Sequence, residues 1–243
     1  MDLARYRNIA VLTGAGISHS AGLPTYRGTG GLWTDPRLAA LSDVNALVAD
    51  RAAVCDLFWS FRRAIEAVQP TPAHAALAAF EQHLPRGTRF QIITQNIDGL
   101  HQRAGSNHVC EFHGSLRRWR CDTCTTELEP ADGEAPVHCD QRMRPAVVLF
   151  GEAIPVDAER TVKQALRDCD LFVAIGTSGT VEPASSLVRW AELSGARRLL
   201  LNLEVFDGAR ALFTECHAGP ADELVPRCFG GRDAGSPAGS QER

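Results

Sequence analysis

NIAVLTGAG, residues 8–16, decides the fold because a short apolar run is followed at once by glycine and alanine. Four other segments have the same form, with apolar residues that end in small or polar ones: RFQIITQN (89–96), PAVVLFGE (145–152), DLFVAIGTS (170–178) and RRLLLNLE (197–204). Continuous apolar runs separated by helical patterns are typical of parallel strands whose two faces are both covered. The sequence therefore predicts an α/β fold in which helices cover both faces of a parallel sheet.

Small and polar residues follow four of these predicted strands: Gly14 to Ser18, Gln95 to Asp98, Gly176 to Ser178, and Asn202 to Glu204. Ligands of parallel sheets bind beyond the carboxyl ends of the strands, so we expect the four groups to converge on one crevice. Glycines after a strand let the backbone approach a phosphate, although such a segment can also be a tight turn alone. The third glycine of the dinucleotide fingerprint is missing after Gly16, which disfavours an ordinary dehydrogenase.

The composition excludes several classes of protein. The chain has 243 residues, 44% of them hydrophobic, and a net charge of -4, which gives no electrostatic reason to expect nucleic-acid or membrane binding. MDLARYRNIA at the start lacks the apolar core of a signal peptide, and no apolar run approaches the ~20 residues of a membrane span. We therefore expect a cytoplasmic protein, in which the eight cysteines are thiols or metal ligands and not disulfides.

Two segments, 33–70 and 116–144, interrupt the alternation of strands and helices. The first contains apolar residues at helical spacing: Val54, Leu57, Phe58, Phe61, Ile65 and Val68. The second is short, polar and rich in cysteine. We expect the two segments to form a smaller lobe, and the Gly/Ser/Pro-rich residues 230–243 to form a disordered tail.

Six motifs, in this order and spacing, resemble those of the sirtuin family, and most closely its bacterial-type members: GAGISHSAGLPTYRG, TQNIDGLH, EFHGS, RPAVVLFGE, GTSGTVEPA and LNLE. The resemblance covers residues 8 to 229 and implies an NAD-dependent protein deacylase. It implies a Rossmann-like NAD-binding domain made of residues 1–32, 71–115 and 145–229. A helical module (33–70) and a zinc-type module (116–144) would form the small lobe, with acyl-lysine in the cleft between the two parts.

The resemblance also implies the catalytic residues. In the family, the acyl oxygen attacks the ribose carbon that bears nicotinamide, and a histidine then activates a ribose hydroxyl. His113 in EFHGS matches this histidine, and Asn96 would lie near the ribose and its attacking water. Imidazole titrates near neutrality and suits general-base work. A hydrogen-bonded structural histidine remains the alternative for His113.

The cofactor-binding residues follow in the same way. Ile97 and Asp98 would hold the nicotinamide carboxamide, since a carboxylate accepts from an amide, with Gln95 on the ribose. A helix N-cap could explain one of these polar residues but not all of them. The full set implied by the resemblance is Gly14, Ala15, Gly16, Ser18, Thr25, Tyr26, Arg27, Trp33, Gln95, Asn96, Ile97, Asp98, Gly176, Thr177, Ser178, Asn202, Leu203, Glu204 and Ala221.

The zinc motif of the family is incomplete in this chain. The family has two C-x-x-C pairs, whose four thiolates form a tetrahedral structural site. Cys121 and Cys124 match the first pair and Cys139 matches the last ligand, but Pro136 stands in place of the remaining cysteine. The open alternatives are a fourth ligand from His138, Asp132 or Glu134, or a loop without zinc.

Acyl preference depends on Trp59 and Arg62. Family members that remove succinyl or malonyl groups have Tyr and Arg three residues apart on a small-lobe helix, where both can bind one carboxylate. Arg62 matches the Arg, and Trp59 stands in place of the Tyr. We therefore expect these residues to bind substrate in a deacetylase that can also be a desuccinylase or demalonylase. The alternative is that Arg62 points into solvent beside the apolar stripe.

Two other functions use the same features. A zinc-ribbon nucleic-acid module fits the cysteines, but the acidic charge and the lack of a basic stripe argue against it. A mono-ADP-ribosyltransferase would use the same NAD site and deliver ADP-ribose to a protein. The expected partners of the deacylase are acylated lysines of proteins or peptides, with neither nucleic acid nor membrane.

Overall fold

The structure is a computed structural model that describes residues 3–25, 31–131, 133–177, 182 and 184–230, without the side chain of Trp33. The described strands are β1 (Asn8–Thr13), β2 (Arg89–Thr94), β3 (Val109–Glu111), β4 (Gly114–Arg120), β5 (Glu127–Leu128), β6 (Val137–His138), β7 (Gln141–Arg142), β8 (Arg144–Val147), β9 (Leu171–Ile175), β10 (Arg197–Asn202) and β11 (Glu215–Ala218). The described α-helices are α1 (Pro36–Leu41), α2 (Val44–Ala49), α3 (Arg51–Glu66), α4 (Pro72–Gln82), α5 (Leu100–Arg103), α6 (Val156–Arg167), α7 (Leu187–Leu193), α8 (Ala209–Leu212) and α9 (Ala221–Phe229).

The main sheet has six parallel strands in the order β11-β10-β9-β1-β2-β3. Alternate residues of β1 enter two different cores, as the two-residue period of a strand requires. Ala10 and Leu12 face the core covered by α6 and α7, whereas Ile9 and Val11 face the core covered by α4 and α9. Burial on both faces explains why the predicted strands are continuously apolar, and the predicted α/β fold is confirmed.

One predicted strand belongs to a different sheet. PAVVLFGE was predicted to join the parallel sheet, but Arg144–Val147 forms β8, which pairs antiparallel with β4 in a three-stranded sheet of order β5-β4-β8. The chain between β4 and β8 turns back through β5 and the β6–β7 hairpin, so β8 returns along β4 in the opposite direction. The prediction of a parallel strand at 145–152 was therefore wrong.

A third core joins the 33–70 and 116–144 segments. Val54, Cys55, Phe58 and Trp59 on α3 pack against Trp119 of β4 and its neighbours. Helix α3 begins after Asp50, whose side chain accepts a hydrogen bond of 3.0 Å from the Ala53 N–H, so the orphan donors of the first turn are partly satisfied.

Among the described residues, no helix is both long and apolar enough to cross a bilayer. Helix α9 ends at Phe229, and the predicted tail lies outside the described residues from 231 onward.

Candidate functional site

A cavity of about 770 Å³ lies at the carboxyl ends of the main sheet's strands and extends to α3 and to the segment after β8. Most of the predicted cofactor residues line it: Gly14, Ala15, Gly16, Thr25, Gln95, Asn96, Ile97, Gly176, Thr177, Asn202, Leu203, Glu204 and Ala221. His113 lines it too. Tyr26, Arg27, Ser178 and the side chain of Trp33 lie outside the described residues.

Three glycines let two strand-end loops cross at one end of this cavity. The Gly16 N–H donates to the Gly176 carbonyl at 2.9 Å, and the Gly14 N–H donates to the Ile175 carbonyl at 3.0 Å. A Cβ on Gly16 would lie 2.7 Å from the Gly176 Cα, and Gly176 itself has a φ of +58°. Side chains would separate the loops, so glycine at 16 and 176 keeps a concave backbone surface of the kind that accepts phosphate groups.

Asn96, Ser18 and Asp98 form a buried hydrogen-bonded chain beside this crossing. Ser18 Oγ donates to Asp98 Oδ2 at 2.7 Å, and Asn96 Nδ2 donates to Ser18 Oγ at 3.2 Å and to the Gly14 carbonyl at 3.1 Å. Burial raises the pKa of Asp98, although hydrogen bonds from the Leu100 N–H and Ser18 oppose the rise. Asn96 Oδ1 is buried and accepts no hydrogen bond from the residues that the structure describes, so an acceptor at the cavity is left for a ligand or water.

His113 follows β3, and its ring is held by the neighbouring strand end. Its Nδ1 lies 3.1 Å from the Gln95 carbonyl, which can only accept, so Nδ1 carries the proton and Nε2 is the basic atom. Burial lowers the pKa of His113, and the hydrogen bond to Gln95 opposes this only in part. The imidazole is therefore neutral near pH 7 and able to accept a proton at the cavity.

Gln95 connects two of the strand ends. Its Nε2 donates to Thr177 Oγ1 at 3.0 Å and approaches the Thr13 carbonyl at 3.4 Å. The amide therefore joins the end of β2 to the ends of β1 and β9, and both Gln95 and Thr177 line the cavity.

Cys121, Cys124, His138 and Cys139 form the one group of potential metal ligands found in the described part of the chain, with all ligand atoms within 4.8 Å of one another. The Cys124 and Cys139 sulfurs are 3.7 Å apart, close to the ~3.8 Å that tetrahedral geometry with ~2.3 Å zinc–sulfur bonds implies. His138 Nδ1 lies 3.3 Å from the Cys124 sulfur. Three thiolates and one imidazole are a standard donor set for structural zinc, so these residues fit the metal.

The structure distinguishes between two of the three candidates for the fourth ligand. His138 belongs to the cluster, Glu134 does not, and Asp132 lies outside the described residues. Pro136, at the position of the missing cysteine, accepts a backbone hydrogen bond of 2.8 Å from the Met143 N–H. The β6–β7 hairpin turns the chain so that His138 faces the first cysteine pair.

Trp59 and Arg62 are not among the cavity-lining residues. Trp59 is only 8% exposed, and its Nε1 donates to the Gly133 carbonyl at 3.0 Å. Arg62 donates to three backbone carbonyls on the side of α3 that faces β4. The predicted binding of an acyl carboxylate by these two residues is not supported by this arrangement.

Sequence reasoning did not assign the apolar part of the cavity to the site. Phe58 and Phe61 of α3 line it, although they were predicted only as core residues. The segment from Val147 to Glu152 also lines it. The signal available in the sequence was the position of this segment, directly after an apolar strand.

A doubly covered parallel sheet, a glycine crossing and a cavity at the strand ends define a nucleotide-binding α/β protein with an added small lobe. The model of the Sir2 family matches residues 14–183 of the chain. The protein belongs to the Sir2 family, and the resemblance to bacterial-type sirtuins is confirmed.

Relatives and solved structures agree with this assignment. NAD-dependent protein deacylase from Thermus thermophilus is 40% identical over 208 residues, 83% of this chain and 82% of that protein. NAD-dependent protein deacylase 1 from Pseudomonas aeruginosa is 38% identical over 238 residues, 92% of this chain and 94% of that protein. A Sir2 homologue in complex with NAD superposes with a TM-score of 0.84 at 32% identity, covering 93% of this chain and 89% of that one. A Sir2–p53 peptide–NAD+ complex gives 0.76 at 28% identity, covering 92% of each chain.

Proposed function

We propose that the protein is an NAD-dependent protein lysine deacylase, which transfers the acyl group to ADP-ribose and releases nicotinamide. One observation carries the proposal: the neutral His113 ring, with Nδ1 held by the Gln95 carbonyl, lines the same cavity as Asn96 and the Gly14–Gly16–Gly176 crossing. This arrangement supports a role for His113 as a base beside a backbone surface that fits phosphate groups. The deacylase names of the relatives are consistent with it.

The residues at the strand ends fit NAD, which supplies the ADP-ribose acceptor and the nicotinamide leaving group. The glycine crossing and Thr177 would hold the phosphates, and Asn202 to Glu204 with Ala221 would hold the adenosine side. Asn96 Oδ1 is a buried acceptor with no hydrogen-bond partner among the described residues, and it would orient a hydroxyl or water at the ribose. Each oxygen of Asp98 already accepts one hydrogen bond and can accept another, which suits the carboxamide.

His113 would act as the general base. Its Nε2 would accept a proton from a ribose hydroxyl of NAD, while the hydrogen bond from Nδ1–H to the Gln95 carbonyl would hold the ring orientation in both protonation states. Burial lowers the pKa of His113, so the base is unprotonated at neutral pH.

Cys121, Cys124, Cys139 and His138 would hold a structural zinc ion in the small lobe. Structural zinc contributes folding energy, because the four ligands do not form a site in the unfolded chain. This role is consistent with the position of the cluster on the β4–β5 turn and the β6–β7 hairpin, outside the cavity.

The test is incubation of an acetyl-lysine peptide with NAD, followed by mass spectrometry. We expect free lysine peptide, nicotinamide and acyl-ADP-ribose in equal amounts, and no product with His113→Ala. Nicotinamide release with ADP-ribose retained on the protein or peptide would instead identify an ADP-ribosyltransferase and refute the proposal.

A further inference from the structure

We infer that the acyl pocket selects uncharged acyl groups, including chains longer than acetyl, and discriminates against acyl groups that end in a carboxylate. This inference rests on the proposed deacylase function and concerns the part of the same cavity that adjoins His113. Two observations carry it. Apolar side chains line the pocket, and Arg62, the arginine that could bind a carboxylate, forms its hydrogen bonds with other groups of the small lobe.

The apolar lining adjoins the catalytic base through backbone hydrogen bonds. The Val148 N–H donates to the His113 carbonyl at 2.9 Å, and Ile97 directly follows Asn96 in the chain. We call six of the apolar residues that line the cavity the apolar wall: Phe58, Phe61, Ile97, Val147, Val148 and Ile154. An acyl chain whose carbonyl lies near His113 therefore continues along this wall.

No Arg or Lys lines the cavity within the part of the chain that the structure describes. The charged residue in the segment that continues the wall is Glu152, whose carboxylate is ion-paired with Arg144 at 2.5 Å. An acyl carboxylate would lose its hydration against the wall and gain no cation from the lining residues that the structure describes. Burial of an unpaired charge is costly, so such a substrate binds poorly.

Arg62 is committed to contacts within the small lobe. Its NH1 donates to the carbonyls of Leu116 and Arg117 at 3.1 and 3.0 Å, and its NH2 donates to the Pro130 carbonyl at 3.0 Å. The same NH2 is ion-paired with Glu66 at 2.8 Å. Both terminal nitrogens are therefore occupied, and the side chain is 13% exposed.

Trp59 stabilises this position of Arg62. The guanidinium carbon lies 5.7 Å from the centre of the Trp59 ring, a cation–π distance. The Trp59 ring in turn packs edge-on against Trp119 at 5.2 Å. Trp59 and Arg62 thus connect α3 to β4, to Pro130 and to Gly133, and turning Arg62 toward the cavity would break its part of these contacts.

The test compares three peptides of one sequence that contain acetyl-, pentanoyl- or succinyl-lysine, with NAD saturating. Pentanoyl and succinyl chains have similar length, so their comparison isolates the charge. We expect kcat/KM for the pentanoyl peptide within about tenfold of the acetyl value, and the succinyl value about 10- to 100-fold below the pentanoyl value. Equal turnover of succinyl and pentanoyl peptides would overturn the inference while leaving the deacylase function intact. Turnover of none of the three would overturn both.

Two variants and one control variant test which residues set the acyl selectivity. Arg62→Met leaves the ratio of succinyl to pentanoyl turnover unchanged, because Arg62 does not reach the acyl group; selective loss of succinyl turnover would refute this. Phe61→Arg places a cation at the apolar wall and raises the ratio by about tenfold or more. Phe61→Leu is its matched control, which removes the ring without adding charge and leaves the ratio at the parental value. If Phe61→Arg is folded and the ratio of succinyl to pentanoyl turnover does not rise, the charge at the apolar wall does not set acyl selectivity.

Discussion

Acidification should destabilise the fold through His74, at the start of α4. The Thr71 N–H donates to His74 Nδ1 at 3.2 Å, so this half of the capping box requires an unprotonated nitrogen. Thr71 Oγ1 also donates to the carbonyl of Ile17, in the loop that follows β1, at 3.1 Å. Protonation of His74 therefore weakens the start of α4. It also weakens the attachment of α4, through Thr71, to the loop that follows β1. Burial lowers the pKa of His74 to about 4, although the charge of Asp222 opposes this.

The direction and size of the effect follow from linkage. The unfolded histidine has a pKa near 6.5, so between pH 6.5 and 4 the unfolded chain binds more protons than the folded one. The stabilisation is fully present above pH 6.5 and is lost as the pH falls toward 4. The difference between the folded and unfolded pKa values of His74 corresponds to about 3 kcal/mol of unfolding free energy. Of this, about 2 kcal/mol is lost between about pH 7.5 and about pH 5.

The measurement is urea unfolding of the parent and His74→Gln at several pH values. Gln at the third helical position can accept from the Thr71 N–H, as in a capping box, and does not titrate. The difference between the two proteins removes the contributions of shared groups that do not contact His74; the buried His101, whose ring centre lies 4.6 Å from that of His74, is coupled to it and belongs to the measured effect. We expect the parent to lose about 2 kcal/mol more than the variant on acidification. Equal losses would refute the assignment of the acid sensitivity to His74.

Three further predictions concern the site and the small lobe. The kcat/KM for acetyl peptide should rise with pH to a plateau, with a midpoint below 6.5, because burial lowers the pKa of the His113 base; a midpoint above 6.5 would contradict this. The purified protein should contain about one equivalent of zinc. Most of this zinc should be lost in His138→Ala and kept in Glu134→Ala, and elemental analysis of the three proteins measures the zinc content. Arg62→Met should lower the free energy of unfolding by about 2–4 kcal/mol, because the hydrogen bonds from Arg62 to three backbone carbonyls are lost. An unchanged denaturation midpoint would show that these hydrogen bonds do not stabilise the fold.

The convergence of the cofactor residues was predictable from the chain alone. Parallel strands place their carboxyl ends along one edge, so Gly16, Asn96, Gly176 and Asn202 had to lie near one another once the strands were identified. The direction of the strand at residues 144–147 was not predictable, because a run of apolar residues does not distinguish parallel from antiparallel pairing. The metal site shows a similar limit: the spacing left three candidates for the fourth ligand, and the β6–β7 hairpin brings His138, and not Glu134, to the cysteines.

The acyl pocket shows a further limit that comes from helix rotation. Spacing correctly indicates that Trp59 and Arg62 share one face of α3, but it does not indicate which face looks into the cavity. Neighbouring residues on a helix are ~100° apart, so the face that carries Phe58 and Phe61 differs from theirs by one such step. The rotation is set by packing, because Trp59 is buried against Trp119 in the third core. This tertiary contact turns the aromatic pair toward the cavity and Arg62 toward β4, so the spacing of an Arg on a helix does not by itself predict whether its side chain lines the cavity.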